Sequence, residues 1–505
     1  MNRRTLLLAG ATLASSSLAV RAAPATGPAP AEGAFDGATV RRLAAALAKQ
    51  AYAAPDDKLP AAIDKLTYDQ YGTIRYRPDR ALWAGRHLPF TAEFFPRAAL
   101  YRTRVDIFEV TAGQAKTVPY AADMFDYADP AHRVPDNLGF AGLKLRTPIN
   151  KPDVYDEVCV FLGASYFRAV GRNQLFGLSA RGLAIGTGNP RGEEFARFSA
   201  FWLETPQEGV NAIVLHALLD SPSTTGAYRF TIKPGETTVF DVESALYPRT
   251  DINEPGIAPL TSMYLFDIKD ARRFDDWRPA VHDSDGLAIT NGHEEQLWRP
   301  LANPTELQIS AFTDTTPHGF GLMQRNRGFA TYQDLQVNYE RRPSLWVEPI
   351  GDWGAGAVDL VEIPTPNETN DNIVAFWRPR DKLAAHGEYT FTYRLHWGPD
   401  RPNPGPLARV IATRIGAGEK PDTRVFVLEF AGDSVKLPPD VKTRVEIGAS
   451  KGELFNVFSI PNDATGGWRI SFDLDPKGEK VVEMHCYLTG DQGPLTETWI
   501  YRWTA

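Results

Sequence analysis

Two short acidic stretches, 88 residues apart between Asp283 and Asp371, are the places where this chain could hold a proton-transfer pair. The first is His282-Asp283-Ser284-Asp285 and the second is Asn367-Glu368-Thr369-Asn370-Asp371-Asn372. Cleaving a glycosidic bond needs one acid to protonate the leaving oxygen and one carboxylate to activate water, and their separation decides retention or inversion. Asp283 and Asp371 supply such a pair if the two loops converge. The second stretch follows a strand-like run (Leu360, Val361, Ile363) broken at Pro364 and Pro366, and leads into an apolar run ending at Trp377. Strands that aim a short polar loop are a common way to present an acid. A hairpin turn that is merely polar reads the same at this level.

The residues between the two stretches add a second kind of chemistry. Trp277, Trp298, Trp346, Trp353 and Trp377 are five of the eleven tryptophans, with Tyr332 and Tyr339 and with Arg325, Arg327, Arg341 and Arg342 among them. Aromatic faces stack on the apolar faces of sugar rings, while Arg, Asp and Asn bind hydroxyls. Trp346 and Arg342 are the substrate contacts expected from this set. The competing reading is that these aromatics are sandwich core.

Other motifs fail on spacing. Gly186-Thr187-Gly188-Asn189-Pro190-Arg191-Gly192 has the wrong glycine spacing for a nucleotide loop and precedes no evident helix. Gly177-Leu178-Ser179-Ala180-Arg181 lacks the second glycine of a nucleophile elbow. His293-Glu294-Glu295 is not a zinc-helix motif and the nine histidines are scattered, so no metal and no cofactor are expected.

The elements that must position these residues read as short strands cut by Gly, Pro, Asp and Asn. They include 74–77, 104–111, 158–162, 212–218, 228–232 and 237–242. Such spacing without alternating helices predicts an all-β chain built on a large antiparallel sandwich or distorted barrel. One helix is expected, capped by Asp36, with Val40, Leu43, Ala44 and Leu47 on one face and ended by Pro55. Tyr389, Phe391, Tyr393, Leu395 and Trp397 alternate with polar residues, as do Trp468, Ile470, Phe472 and Leu474. These strands predict an immunoglobulin-like sandwich at the C-terminus. The interruption at 378–387 places the boundary there, with a large domain over 23–383 and the second over 384–505.

At 505 residues the chain exceeds one ordinary core. Met1-Asn2-Arg3-Arg4-Thr5-Leu6-Leu7-Leu8 and the small residues up to Ala22 read as a twin-arginine export signal over 1–22, which implies a periplasmic protein. Residues 23–33 read as a disordered leader. Without residues 1–22 the formal charge moves from −8 to −11, which gives no electrostatic reason to bind nucleic acid or anionic lipid. No later segment is apolar enough to be inserted in a membrane. Cys159 and Cys486 are expected buried and unpaired.

Several segments together resemble the osmoregulated periplasmic glucan biosynthesis proteins. They include Leu162-Gly163-Ala164-Ser165-Tyr166-Phe167-Arg168, Gly177 to Ala184, Ala258-Pro259-Leu260-Thr261-Ser262-Met263, His282 to Asp285, Trp298-Arg299-Pro300-Leu301, Gly319-Phe320-Gly321-Leu322, Arg342 to Pro349 and Asp371-Asn372-Ile373-Val374. The similarity runs from Phe35 to the C-terminus. The D type is the nearer match through Pro406 to Thr413, although Asn367–Asp371 reads more like the G type.

This resemblance implies a large N-terminal β-sandwich related to galactose mutarotases, followed by an immunoglobulin-like domain. It implies action on linear β-1,2-glucan as an inverting endo-β-1,2-glucanase, with Asp371 as general acid and Asp283 as general base. Tyr339, Glu368 and Asp334 match residues of the sugar groove. A transglycosylase that cyclises the glucan, or a scaffold that binds it without chemistry, are the alternatives. A membrane glucan synthase and a second copy of the chain in a homodimer stand as further partners. The segment 414–424 is shorter than the aromatic-rich loop usual in the D type, which leaves chain-length preference open.

Overall fold

The computed structural model describes residues 32–437 and 441–505; the segments expected as export signal (1–22) and, for the most part, as leader (23–33) lie outside them. Among the described residues the regular structure is nearly all strand, and only one helix, Thr39–Ala48, exceeds four residues. No helix among them is long and apolar enough to cross a membrane.

Two sheets face each other across the main core. One holds ten strands, among them Val154–Leu162, Tyr166–Ala169, Pro255–Ser262, Ala355–Glu362 and Ile373–Pro379. The other holds sixteen and includes Thr224–Lys233, Thr238–Pro248, Ser344–Ile350 and Tyr389–Gly398. Alternation drives this arrangement: on Thr238–Pro248 every second residue from Thr238 to Val242 is buried. Phe161 and Phe167 of the first sheet meet Phe230, Phe240 and Trp397 of the second, with ring centroids 5.2–5.9 Å apart. Cys159 is buried in this core and Cys486 in the C-terminal one, both free.

The helix lies on the outer face of the longer sheet and buries Val40 and Ala44 against Trp202, Leu218 and Ala227. Its first turn is not capped as expected. Ala38 occupies the cap position, while Asp36 stands two residues earlier and accepts from the Ala38 N–H and the Thr39 hydroxyl. The helix also ends at Ala48, well before Pro55. Gly33–Ala34, placed at the end of the leader, pairs with the strand Gln114–Thr117.

One expected boundary changes. Tyr389–Gly398, read as the opening strand of the C-terminal sandwich, lies inside the longer sheet between Thr238–Pro248 and Ser344–Ile350. Its alternation is genuine, but period alone says a strand is half-buried and not which sheet it joins. Tyr393, Leu395 and Trp397 point into the main core, so the chain leaves the large sandwich after Gly398 rather than near 384.

The remainder forms a second two-layer sandwich. Arg409–Ala417, Arg424–Ala431, Gly467–Asp475 and Glu453–Asn462 make a four-stranded sheet. It packs on Thr498–Thr504 and Val481–Gly490 through Phe426, Phe472 and Trp499. Thr498–Thr504 also pairs in parallel with Gln296–Pro300, so the longer sheet runs through both sandwiches. The segment 414–424 is the tip of a hairpin within the four-stranded sheet.

Candidate active site

The Asp371 loop connects Ala355–Glu362 to Ile373–Pro379, a pair in continuous antiparallel register. Pro364 and Pro366 cannot donate to a ladder, so pairing stops and the chain bulges outward. Side chains then fix the loop. Asn303 donates to the Thr365 carbonyl (2.8 Å) and accepts its N–H (3.0 Å), and Asn367 accepts the Thr369 N–H (3.0 Å). Asn372 is the main anchor. Its Nδ2 donates to the carbonyls of Tyr264 (2.9 Å) and Ile363 (3.0 Å), and its Oδ1 accepts the Tyr264 N–H (2.8 Å).

Asp283 does not sit on an exposed acidic loop. His282, Asp283, Ser284 and Asp285 are all buried, at 0–7 % exposure. His282 ends the strand Val281–His282, which pairs with Tyr264–Phe266, and the other three follow it. The polar groups of this stretch are largely consumed by packing. His282 Nδ1 bonds Gln324 Oε1 (2.9 Å), the Ser284 hydroxyl meets that of Ser262 (2.8 Å), and Asp285 accepts the N–H groups of Arg325 and Asn326 (3.1 and 3.2 Å). Asp283 itself forms a buried ion pair with Arg342, whose guanidinium also lies 4.6 Å from the Tyr339 ring centroid.

The two aspartates are electrostatic neighbours. Burial pushes the Asp371 carboxyl up to about 6; Arg168 opposes this, the Asp283 charge adds to it, and Arg181 and Arg342 pull it down. Burial likewise raises Asp283, with the Arg342 guanidinium acting against it. Asp371 is partly exposed and lines a cavity of about 410 Å³ with Tyr166, Arg181, Phe195 and Asn370. The Arg181 guanidinium lies 4.8 Å from the Tyr166 ring centroid and 5.7 Å from that of Phe195. An acid that is half protonated near pH 6, beside a fixed second carboxyl, is suited to giving a proton to a leaving group and taking one from a nucleophile.

Tyr339, Glu368 and Asp334 converge on the same place through a residue that the sequence did not single out, Arg278. Its Nη1 contacts Glu368 Oε2 (2.6 Å) and Asp334 Oδ2 (3.1 Å), and its Nη2 contacts Asp276 Oδ2 (2.7 Å). The Tyr339 hydroxyl donates to the same Glu368 oxygen (3.0 Å). Asp334 also accepts the N–H groups of Gln336 and Val337, so it holds its own turn as well as Arg278. The only signal for Arg278 in the sequence was the Asp276-Trp277-Arg278 triplet, which has many surface equivalents. Arg168, Arg181 and Asn372 were also missed as site residues, although all three lie in segments that carry the family resemblance.

Trp346 is not part of this site. It is 4 % exposed, packs with Trp298 in the core of the second sandwich, and crowds Gly319, where an added Cβ would meet the indole at 2.3 Å. On Ser344–Ile350 its neighbours Leu345 and Val347 face the main core, so alternation sends Trp346 to the opposite face. Trp298, Trp353 and Trp377 are core residues too. Trp277 alone of the five is exposed, at 71 %, with the Arg278 guanidinium 5.9 Å from its ring centroid.

An all-β double sandwich with a carboxylate pair beside a cavity of about 410 Å³ is the setting in which the comparisons with known proteins fall. The family described as periplasmic glucan biosynthesis protein, MdoG, matches residues 35–503, and the chain belongs to this family. It is 52% identical to a Bradyrhizobium diazoefficiens protein named glucans biosynthesis protein G, over the full length of both chains. A Rhodopseudomonas palustris protein of the same name is 54% identical, again over both full lengths. A Vibrio cholerae relative, also so named, is 46% identical over 94% of this chain and 87% of its own. These relatives carry the G name, which corrects the leaning to the D type. The Pro406–Thr413 segment that suggested D is therefore not diagnostic, and the Asn367–Asp371 loop was the better guide.

Proposed function

We propose that this periplasmic glucan biosynthesis protein cleaves the linear β-1,2-glucan backbone with inversion, after export by the twin-arginine route. The observation that carries this reading is Asp371: a carboxyl raised to about 6 that opens on a 410 Å³ cavity and feels the charge of Asp283. Asp371 gives its proton to the glycosidic oxygen as the bond to the anomeric carbon breaks. Water attacks that carbon from the opposite face, and its proton passes to Asp283 directly or through intervening hydroxyls. Arg342 holds Asp283 in place, and the Tyr339–Glu368–Arg278 cluster holds the loop from which Asp371 projects. The test is to incubate the protein with linear β-1,2-glucan and follow product size and anomeric form. New reducing ends of inverted configuration support the reading. Cyclic or lengthened products would make it a transglycosylase, and binding without turnover would make it a scaffold. Changing Arg3 and Arg4 together to Lys tests the route: precursor should remain in the cytoplasm.

A further inference from the structure

The cavity beside Asp371 does not end the groove. Thr261, Val374, Val361 and Ile309 are successive register partners on Pro255–Ser262, Ile373–Pro379, Ala355–Glu362 and Gln308–Thr315. Directly opposed residues in antiparallel strands share a face, so these four form one row across the outer face of the ten-stranded sheet. Three strand spacings make the row about 14 Å long. Its first two members line the Asp371 cavity, and its last two line a second cavity of about 310 Å³.

The second cavity has the chemistry of a sugar site. Ile309, Val361 and Phe376 give an apolar floor, and Asn189, Glu254 and Asp359 stand around it. Arg378 lines the cavity too and pairs with Asp359 (2.6 Å), while Glu254 keeps its charge and accepts a hydrogen bond from Asn189 (2.9 Å). A neutral ligand with an apolar face and a ring of hydroxyls fits this lining, whereas an anion would meet two carboxylates against the single Arg378 guanidinium.

The wall between the cavities is the Gly186–Gly192 loop. Thr187 donates to Glu193, a residue of the first cavity (2.6 Å), while Gly188 (φ +78°) lies so close over the row that a Cβ would meet Ile309 at 3.1 Å and Val361 at 3.3 Å. The glycine-rich segment that failed as a nucleotide loop thus has a use here, in bringing backbone down onto an apolar strip.

We infer that the second cavity is a distal subsite that binds glucose units of the same chain whose scissile bond lies at Asp371. This rests on the glucan reading above. The test is calorimetric titration of the full protein with linear β-1,2-glucan fractions graded by length. Ile309→Arg fills the cavity from an edge strand where Ile309 is 46 % exposed, and Glu254→Gln alters the rim; thermal melts check that both fold. In the wild type, affinity should rise with length until a chain spans both cavities. Ile309→Arg should lower the affinity of the longest chains roughly tenfold, the scale of one good contact, and leave that of the shortest bound chains unchanged. Glu254→Gln should act in the same direction. Equal losses at all lengths, or none, would overturn the subsite while leaving the glucan reading intact. Failure of the wild type to bind glucan of any length would overturn both.

Discussion

Asp283 and the neighbour of Asp371, Asn372, hang from one three-residue stretch, Ser262-Met263-Tyr264. The Asp283 N–H donates to the Met263 carbonyl (2.8 Å), while Asn372, next to Asp371, bonds the Ser262 carbonyl through its N–H (3.0 Å) and Tyr264 through its side chain. Residues 88 positions apart are therefore set in relation by a stretch of backbone that contributes no chemistry of its own. Asn372→Ala should leave two buried backbone partners on Tyr264 and the part-buried Ile363 carbonyl without it, at about 1–3 kcal/mol for each buried group before any relaxation. It should lower kcat more than it raises KM, because the acid is displaced and not the groove. A fall in affinity alone would argue against this positioning role.

Asp371→Asn should keep glucan binding and lose at least ~10²-fold in turnover, since an amide cannot supply the proton. In the wild type, kcat/KM should fall as pH rises through about 6. The same carboxyl affects stability. Between its ordinary value of 3.8 and about 6, the folded protein holds a proton that the unfolded chain has lost. Stability therefore falls as pH rises across that window, and the loss is complete above it. The amide should stabilise the protein at pH 8, by up to about 3 kcal/mol. Equal or lower stability in denaturant titrations at that pH would contradict this.

Asp283→Asn has a different cost. Its partner Arg342 is 4 % exposed, and removing one charge of a buried pair leaves the other uncompensated, typically at about 3–5 kcal/mol. A loss near the lower end is expected, because the amide still accepts a hydrogen bond. Turnover should fall with it, by at least ~10²-fold in the folded fraction. Chemical denaturation at several pH values separates the two effects.

Arg278→Lys should keep the charge but not the fork that reaches Glu368, Asp334 and Asp276 together. Faster amide exchange over 367–371 and an activity loss of roughly tenfold are expected. Unchanged exchange there would show that the loop is held without it.

Trp346→Ala should cost about 3–5 kcal/mol as a core truncation and leave glucan affinity of the folded protein intact. Chain length offers a companion test. A chain ending at Arg380 lacks Tyr389–Gly398 from the middle of the longer sheet and should aggregate. Such a chain surviving as an active monomer would contradict the sheet order.

The sequence carried the all-β class, most strands and the Asp371 loop, because period-two alternation and paired prolines are local signals. It did not carry the burial of Asp283, since His-Asp-Ser-Asp reads as a surface loop until Gln324 and Arg342 arrive from elsewhere in the chain. Nor did it carry the role of Arg278, whose partners are up to 90 residues away. The tryptophans misled for a related reason. Their density marked a region of large cores, and only exposure distinguishes Trp277 from Trp346.

The parallel pairing of Gln296–Pro300 with Thr498–Thr504 bears on the order in which the molecule is made. The edge left by Gln296–Pro300 is covered by Thr498–Thr504, some 200 residues further on. A nascent chain on the ribosome therefore carries that edge bare until about 200 further residues have been made, and bare edges recruit the wrong strands. Anything that holds the incomplete chain apart from its neighbours protects this sheet, and anything that hurries an unfinished chain toward export works against it.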